Sequence, residues 1–181
     1  RLGDLSSSKQ SGEQRRIVIP AGTYTNVNIS IGPAENQDDQ PLVIDGNGTT
    51  IFKGKSFIRI GRANVTLKGV RFEGGRSSAI EVSGANVRIT QSQFSDCGDQ
   101  AKPQSQCILI LPGATASEID FNRFENSYSM SVKLRAGAAG SVPQPTGAYI
   151  HHNIFQDIQR RSGNGQEPIQ IAGPGGGESR D

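Results

Sequence analysis

A short unit that closes on phenylalanine returns along this chain, and it limits what the chain can fold into. The copies are Asn64-Val65-Thr66-Leu67-Lys68-Gly69-Val70-Arg71-Phe72, Asn86-Val87-Arg88-Ile89-Thr90-Gln91-Ser92-Gln93-Phe94, Glu118-Ile119-Asp120-Phe121-Asn122-Arg123-Phe124, and Ile150-His151-His152-Asn153-Ile154-Phe155. In each, a branched aliphatic residue (Leu67, Ile89, Ile119, Ile150) stands five residues before the phenylalanine, and the last two copies share Asn-x-Phe. A turn or loop follows every phenylalanine, and then a second short apolar strand: Ala79–Val82, Cys107–Ile110, Ser131–Leu134 and Pro168–Ile171. The phenylalanines at 72, 94, 124 and 155 lie 22, 30 and 31 residues apart. That period belongs to stacked solenoid coils, one repeat to a coil.

Within the strands the alternation has period two. Val65, Leu67, Val87, Ile89, Ile108, Ile110, Val132, Leu134, Ile169 and Ile171 fall on one face, with Thr66, Lys68, Arg88, Lys133 and Gln170 on the other. Helical spacing is not sustained over any useful window. Glycine, Asn, Asp and Ser punctuate nearly every strand end, where positive φ or a side-chain-capped turn is needed. The pattern predicts an all-β, right-handed parallel β-helix, incomplete at its C-terminal end. An antiparallel sandwich would suit the turn signals, but it gives no reason for the same strand pair to return in the same order.

At 181 residues the chain has the length of one ordinary domain. Its apolar fraction of 33% and lack of tryptophan would warn of disorder in a large globule, but a β-helix fills only a narrow interior column. The net charge of +2, with both signs interspersed, gives no nucleic-acid tract and no membrane-surface helix, and no run reaches the length of a membrane span. Residues 1–16 read as a polar lead-in or cap remnant, 17–173 as coils, and 174–181 as a glycine-rich loop leading toward a further coil.

The order "strand, Pro20-x-Gly22-x-Tyr24, strand, polar loop, Pro41-Leu42-x-Ile44-x-Gly46", together with Asn-x-Phe and Gly163-Asn164-Gly165-x-Glu167-x-Ile169-x-Ile171-x-Gly173, resembles the N-terminal half of the β-helical polysaccharide lyases that include alginate lyases and chondroitinase B. The resemblance runs over nearly the whole chain, with its specific part between Gly163 and Gly173. It implies a groove along the side of the β-helix that takes an acidic polysaccharide. In that family a calcium ion neutralises the uronate carboxylate, a lysine takes the proton at carbon 5, an arginine assists at the glycosidic oxygen, and the 4-O-linked sugar leaves by β-elimination. A carbon acid beside a carboxylate needs its developing enolate charge stabilised, and a divalent cation suits that task.

Calcium takes several oxygen ligands, in this family an Asn and two Glu. Asn164 matches the asparagine. The Glu-x-Glu pair, the lysine and the arginine of the family are not reproduced, and Gln170 stands where relatives often carry an arginine. The implied enzyme is therefore a calcium-assisted lyase whose site is completed by a C-terminal portion or second chain.

The residues themselves add candidates. Lys133 and Arg135 share the outward face of one strand and suit uronate carboxylates, Arg135 through two parallel hydrogen bonds. Arg160 and Arg161 precede Asn164 in its loop, and Gln170 completes the substrate-binding set. Lys133 and His151 are the weak catalytic candidates, while His151 and His152, as neighbours on a strand, are expected to face opposite ways. Each of these also reads as a solvated strand face, and Asn164 as a turn former between glycines. Cys97 and Cys107 flank a short loop and suit either a disulfide, as in a secreted or periplasmic protein, or two buried thiols. The alternative function is a non-catalytic β-helix that binds carbohydrate or serves as a spike or adhesin.

Overall fold

A computed structural model describes residues 15–32, 40–74, 78–98, 105–137, 147–158 and 167–172. Arg160, Arg161 and Asn164 lie outside them. The strands are β1 (Arg15–Val18), β2 (Gly22–Thr25), β3 (Asn28–Ile31), β4 (Leu42–Lys53), β5 (Phe57–Ile60), β6 (Val65–Glu73), β7 (Ser78–Val82), β8 (Arg88–Thr90), β9 (Gln93–Ser95), β10 (Gln106–Ile110), β11 (Glu118–Asp120), β12 (Arg123–Glu125), β13 (Met130–Arg135), β14 (Tyr149–His151), β15 (Ile154–Gln156) and β16 (Ile169–Ala172). Every pairing among them is parallel. The chain is a parallel β-helix, as the repeat predicts.

A ten-stranded sheet carries two of the three strands of each coil, and a six-stranded sheet in the order β16-β13-β10-β7-β5-β3 carries the third. In the early coils β4 and β6 run unbroken through the bend of the larger sheet. Later coils divide there: β8 and β9 both pair with β6, and the pairs β11/β12 and β14/β15 continue upward.

The expected interior column is present in register. Leu67 pairs with Ile89, Ile89 with Ile119, and Ile119 with Ile150; Ile44 and Ile17 extend it below. Beside it the phenylalanines form a continuous stack through Tyr24, Phe52, Phe72, Phe94, Phe124 and Phe155, with ring centroids 4.9 to 5.7 Å apart. Such ring pairs contribute about 0.5–1.5 kcal/mol each beyond the area they bury. One aromatic residue per coil thus ties each coil to the next.

Each coil changes direction on single residues in left-handed conformation, and these align in columns. Gly69, Gln91, Phe121 and His152 follow register partners and have φ between 50° and 63°; Asn64, Asn86, Ala116 and Gly147 mark a second column, and Asn26, Gly54, Gly74, Asp96, Asn126 and Asp157 a third. Most are the Gly, Asn or Asp that this conformation favours. Phe121 is not.

Asn-x-Phe also acquires a reason. Asn122 Oδ1 accepts the Ser92 N–H at 3.0 Å and its Nδ2 donates to the Ile89 carbonyl at 2.9 Å, and Asn153 repeats both bonds one coil on, to the Asn122 N–H at 3.0 Å and the Ile119 carbonyl at 2.8 Å. An amide that both donates and accepts satisfies backbone groups at a corner where strand pairing lapses. Cys97 and Cys107 form a disulfide with Cα atoms 5.3 Å apart, resolving the two sequence readings in favour of the bridge.

Candidate functional site

The outward face of the six-stranded sheet presents one residue per coil. Register aligns Ser30, Arg59, Glu81, Leu109, Lys133 and Gln170 in a row along the helix axis. Arg59 Nη2 and Glu81 Oε2 pair at 3.1 Å, so the lower part of the row is neutralised. Higher up the row turns cationic at Lys133, with Arg135 two residues along β13 and the Gln170 amide beside Lys133 on β16. Gln170 Nε2 donates to Glu167 Oε2 at 3.4 Å.

Lys133 is half-buried and Arg135 exposed. Burial, and then the neighbouring Arg135 charge, hold the Lys133 ammonium below the usual lysine range, against the opposing pull of Glu167. Arg16, Lys53, Arg59, Lys68, Arg71, Arg88 and Arg123 each hold a carboxylate. Lys133 and Arg135, in contrast, form no ion pair with a described residue. Two adjacent cations that form no salt bridge with a described residue, with Glu167 acting on Lys133 only as a nearby charge and an amide beside them, have the chemistry to receive an anion. The fold thus brings together Lys133, Arg135 and Gln170 of the expected set.

His151 is elsewhere. It lies on β14 of the larger sheet, with Asp120 as its register partner. Its Nε2 is 3.1 Å from Glu118 Oε1, and its Nδ1 is 2.7 Å from His152 Nδ1. Asp120 is fully buried and receives Nε and Nη2 of Arg88, one to each oxygen, while Arg88 Nε also lies 3.5 Å from Glu118 Oε2. Sequence reasoning left this cluster unassembled, because Arg88, Glu118 and Asp120 look like ordinary outward strand residues. Only the coil register, read outward from the phenylalanines, brings them to one level.

Calcium, implied by the resemblance, can be tested against these groups. Glu118, Asp120 and His151 offer ligand atoms all within 4.8 Å of one another. They do not fit calcium: Arg88 already occupies both Asp120 oxygens, and an imidazole stands where calcium takes oxygen. The cluster is an arginine-centred ion-pair network. Asn164, the residue the resemblance points to, lies outside the described residues.

The sequence matches no protein-family model and no curated protein. The fold is similar to that of the PL6 family polysaccharide lyase Pedsa3628 from Pseudopedobacter saltans, with a TM-score of 0.68 and 14% identity over 86% of this chain and 36% of that one. A mutant of the PL6 family alginate lyase AlyGC aligns over 87% of this chain and 37% of its own at 10% identity, but its TM-score of 0.30 adds nothing to the comparison. The chain thus has the β-helical fold seen in a PL6 polysaccharide lyase. It spans about a third of the length of these relatives.

Proposed function

We propose that this chain contributes one wall of the groove of a polysaccharide lyase acting on an acidic polyuronate, alginate foremost. The observation that carries the reading is the cation pair Lys133 and Arg135, which forms no salt bridge among the described residues, beside Gln170 on the outward face of the six-stranded sheet. Uronate carboxylates repeat along such a polymer, and a row of side chains spaced by the coil rise of about 4.8 Å runs along the groove. Arg135 suits a two-pronged hydrogen bond to a carboxylate, Lys133 a point charge, and Gln170 a hydroxyl or ring oxygen.

In this reading Lys133 and Arg135 hold the polymer and screen its charge. Proton removal at carbon 5 and protonation of the leaving oxygen fall to a Glu-x-Glu, Lys and Arg set supplied by a C-terminal portion or second chain. Calcium belongs to it through Asn164, with its remaining oxygen ligands from that same portion. Arg160 and Arg161 are assigned to the substrate side of the Asn164 loop. The Cys97–Cys107 bridge suits an oxidising compartment, and so supports a secreted or periplasmic location.

The test is ultraviolet absorbance from the carbon–carbon double bond formed on β-elimination of alginate. Residues 1–181 alone are expected to yield no unsaturated product, and product is expected to appear when the portion carrying the Glu-x-Glu, Lys and Arg set is supplied. Robust activity from the chain alone would assign the chemistry to its own Lys133, Arg135 or His151. Alginate binding that survives Lys133→Met with Arg135→Gln would overturn the cation-pair reading itself.

A further inference from the structure

On the larger sheet, away from Lys133, two outward rows flank the buried column of Ser92 and Asn122. One row is Gln91, Phe121 and His152, at the left-handed corner; the other is Gln93, Arg123 and Ile154, aligned by register. Between them lies an open groove of about 320 Å³. It crosses three coils, or roughly 10 Å at the ordinary strand spacing.

Among the described residues, Phe121 is the bulkiest of the four in left-handed conformation that are not Gly, Asn or Asp. A bulky residue at φ 51° bears a steric cost that Asn or Gly would avoid, yet Phe121 is 53% exposed and so gains little from burial. Strain retained on a ring that stays half-exposed and packs on an exposed imidazole points to use of the side chain. The ring lies on the His152 imidazole, centroids 5.1 Å apart and planes inclined by 18°. Ile154, also 54% exposed, extends the apolar surface, and the Gln91 and Gln93 amides are exposed beside it.

The polar groups narrow the ligand class. Backbone N–H groups of Ser92 and Asn122 are consumed by the asparagine ladder, so recognition falls to side chains. The Arg123 charge is met by Glu125, leaving the groove without net demand for an anion. His151 is engaged at Nε2 by Glu118 and at Nδ1 by His152 Nδ1, which leaves His152 Nε2 with no partner among the described residues. An aromatic and aliphatic surface bordered by amides and an imidazole nitrogen matches a pyranose ring, which has an apolar C–H face and a rim of hydroxyls that both donate and accept.

We infer that the Phe121–His152 groove is a second carbohydrate-binding site, which takes a pyranose by its C–H face irrespective of a carboxylate. It is independent of the Lys133 face and of the lyase reading. The test titrates the folded chain with a neutral 1,4-linked glucose tetrasaccharide and a 1,4-linked mannuronate tetrasaccharide, following the His152 ring resonances by NMR and affinity by calorimetry. Both sugars are expected to shift the His152 resonances. Phe121→Asn, which places a residue at ease in this conformation, is expected to keep or raise the thermal midpoint while weakening glucose-tetrasaccharide binding about tenfold. Lys133→Met should leave that binding unchanged. Unshifted His152 resonances, undiminished affinity in Phe121→Asn, or a lowered midpoint in that variant would each overturn the inference, and none of them bears on the cation pair at Lys133 and Arg135.

Discussion

Arg88 closes both oxygens of the fully buried Asp120 carboxylate, reaching from β8 to β11 across one coil boundary. A buried carboxylate stripped of its partner is costly, whereas removing both members of such a pair costs far less. The Arg88 side chain is 42% exposed, so water offsets part of the loss. Arg88→Met is therefore expected to lower the unfolding free energy by about 2–3 kcal/mol, and adding Asp120→Leu to recover a large part of it. Urea denaturation of the single and double variants measures both.

The same groups give the fold a defined acid limit. Burial alone would raise the Asp120 and Asp45 carboxyls, but hydrogen bonds outweigh it: Arg88 at Asp120, and the Asn47 N–H with Lys68 and Arg16 at Asp45. Both are held below the usual carboxylate range. Their stabilisation is therefore complete above the unfolded value of about 3.9 and is lost as pH falls through the lower folded values. The thermal midpoint of the parent should fall steeply below about pH 4. In Arg88→Met the sign reverses at Asp120, because burial without the guanidinium favours the protonated acid. The gap between variant and parent should then narrow on acidification, which parallel melting curves across this range check.

The phenylalanine stack should grade its own substitutions. Phe94 is 1% exposed and lies between Phe72 and Phe124, at 5.6 and 4.9 Å. Phe155 is half-buried, with Phe124 as its ring neighbour. Phe94→Ala is expected to cost about 3–5 kcal/mol and Phe155→Ala distinctly less. Equal losses in denaturant titrations would mean that the stack does not act coil by coil.

The parts of this fold that were legible are those a period can carry. A fixed five-residue offset between Ile119 and Phe124, or Ile150 and Phe155, encodes which side chains stack, because parallel register repeats one position per coil. Asn122 and Asn153 were visible as a repeat, but their role was not: an asparagine two residues before phenylalanine reads equally as a turn former until the next coil supplies its carbonyl. Lys133 and Arg135 were legible as an outward pair. Their lack of a salt-bridge partner among the described residues was not, since ion pairs such as Arg88 with Asp120 join residues 32 positions apart. Phe121 was hidden for a related reason. Its neighbours Ile119 and Phe124 point inward, and nothing in the local sequence marks the corner that turns its ring outward.

The Cys97–Cys107 bridge closes a loop with a sequence separation of 10, and its sulfurs lie 3.9 and 3.3 Å from Ser127 Oγ in the next coil. In the chain-entropy account a loop of this length contributes about 2–3 kcal/mol. Reduction, or Cys97→Ser with Cys107→Ser, is expected to lower stability by that amount without unfolding the helix, since Phe94 and Ile108 on either side remain in register with their own coils. Melting curves with and without reductant, with thiol alkylation followed by mass spectrometry, measure the effect.

Lys133 offers the sharpest check on the groove, because three separate influences act on one ammonium. Burial and the Arg135 charge lower its pKa, and Glu167 raises it. Arg135→Gln removes a repulsion and should move the Lys133 titration upward, toward the ordinary lysine range. Glu167→Gln removes an attraction and should move it further down, while its amide oxygen can still accept from Gln170. A bound uronate supplies a negative charge of its own, so it should raise the Lys133 pKa in the parent. By linkage, affinity for the uronate should then fall as pH rises through the free-state value, since the ammonium that pairs with the carboxylate is lost there. Carbon-13 NMR of reductively methylated lysines follows each titration directly. A Lys133 resonance indifferent to both substitutions and to mannuronate would place its ammonium away from Arg135, Glu167 and the polymer alike, and would remove the cation pair from the groove.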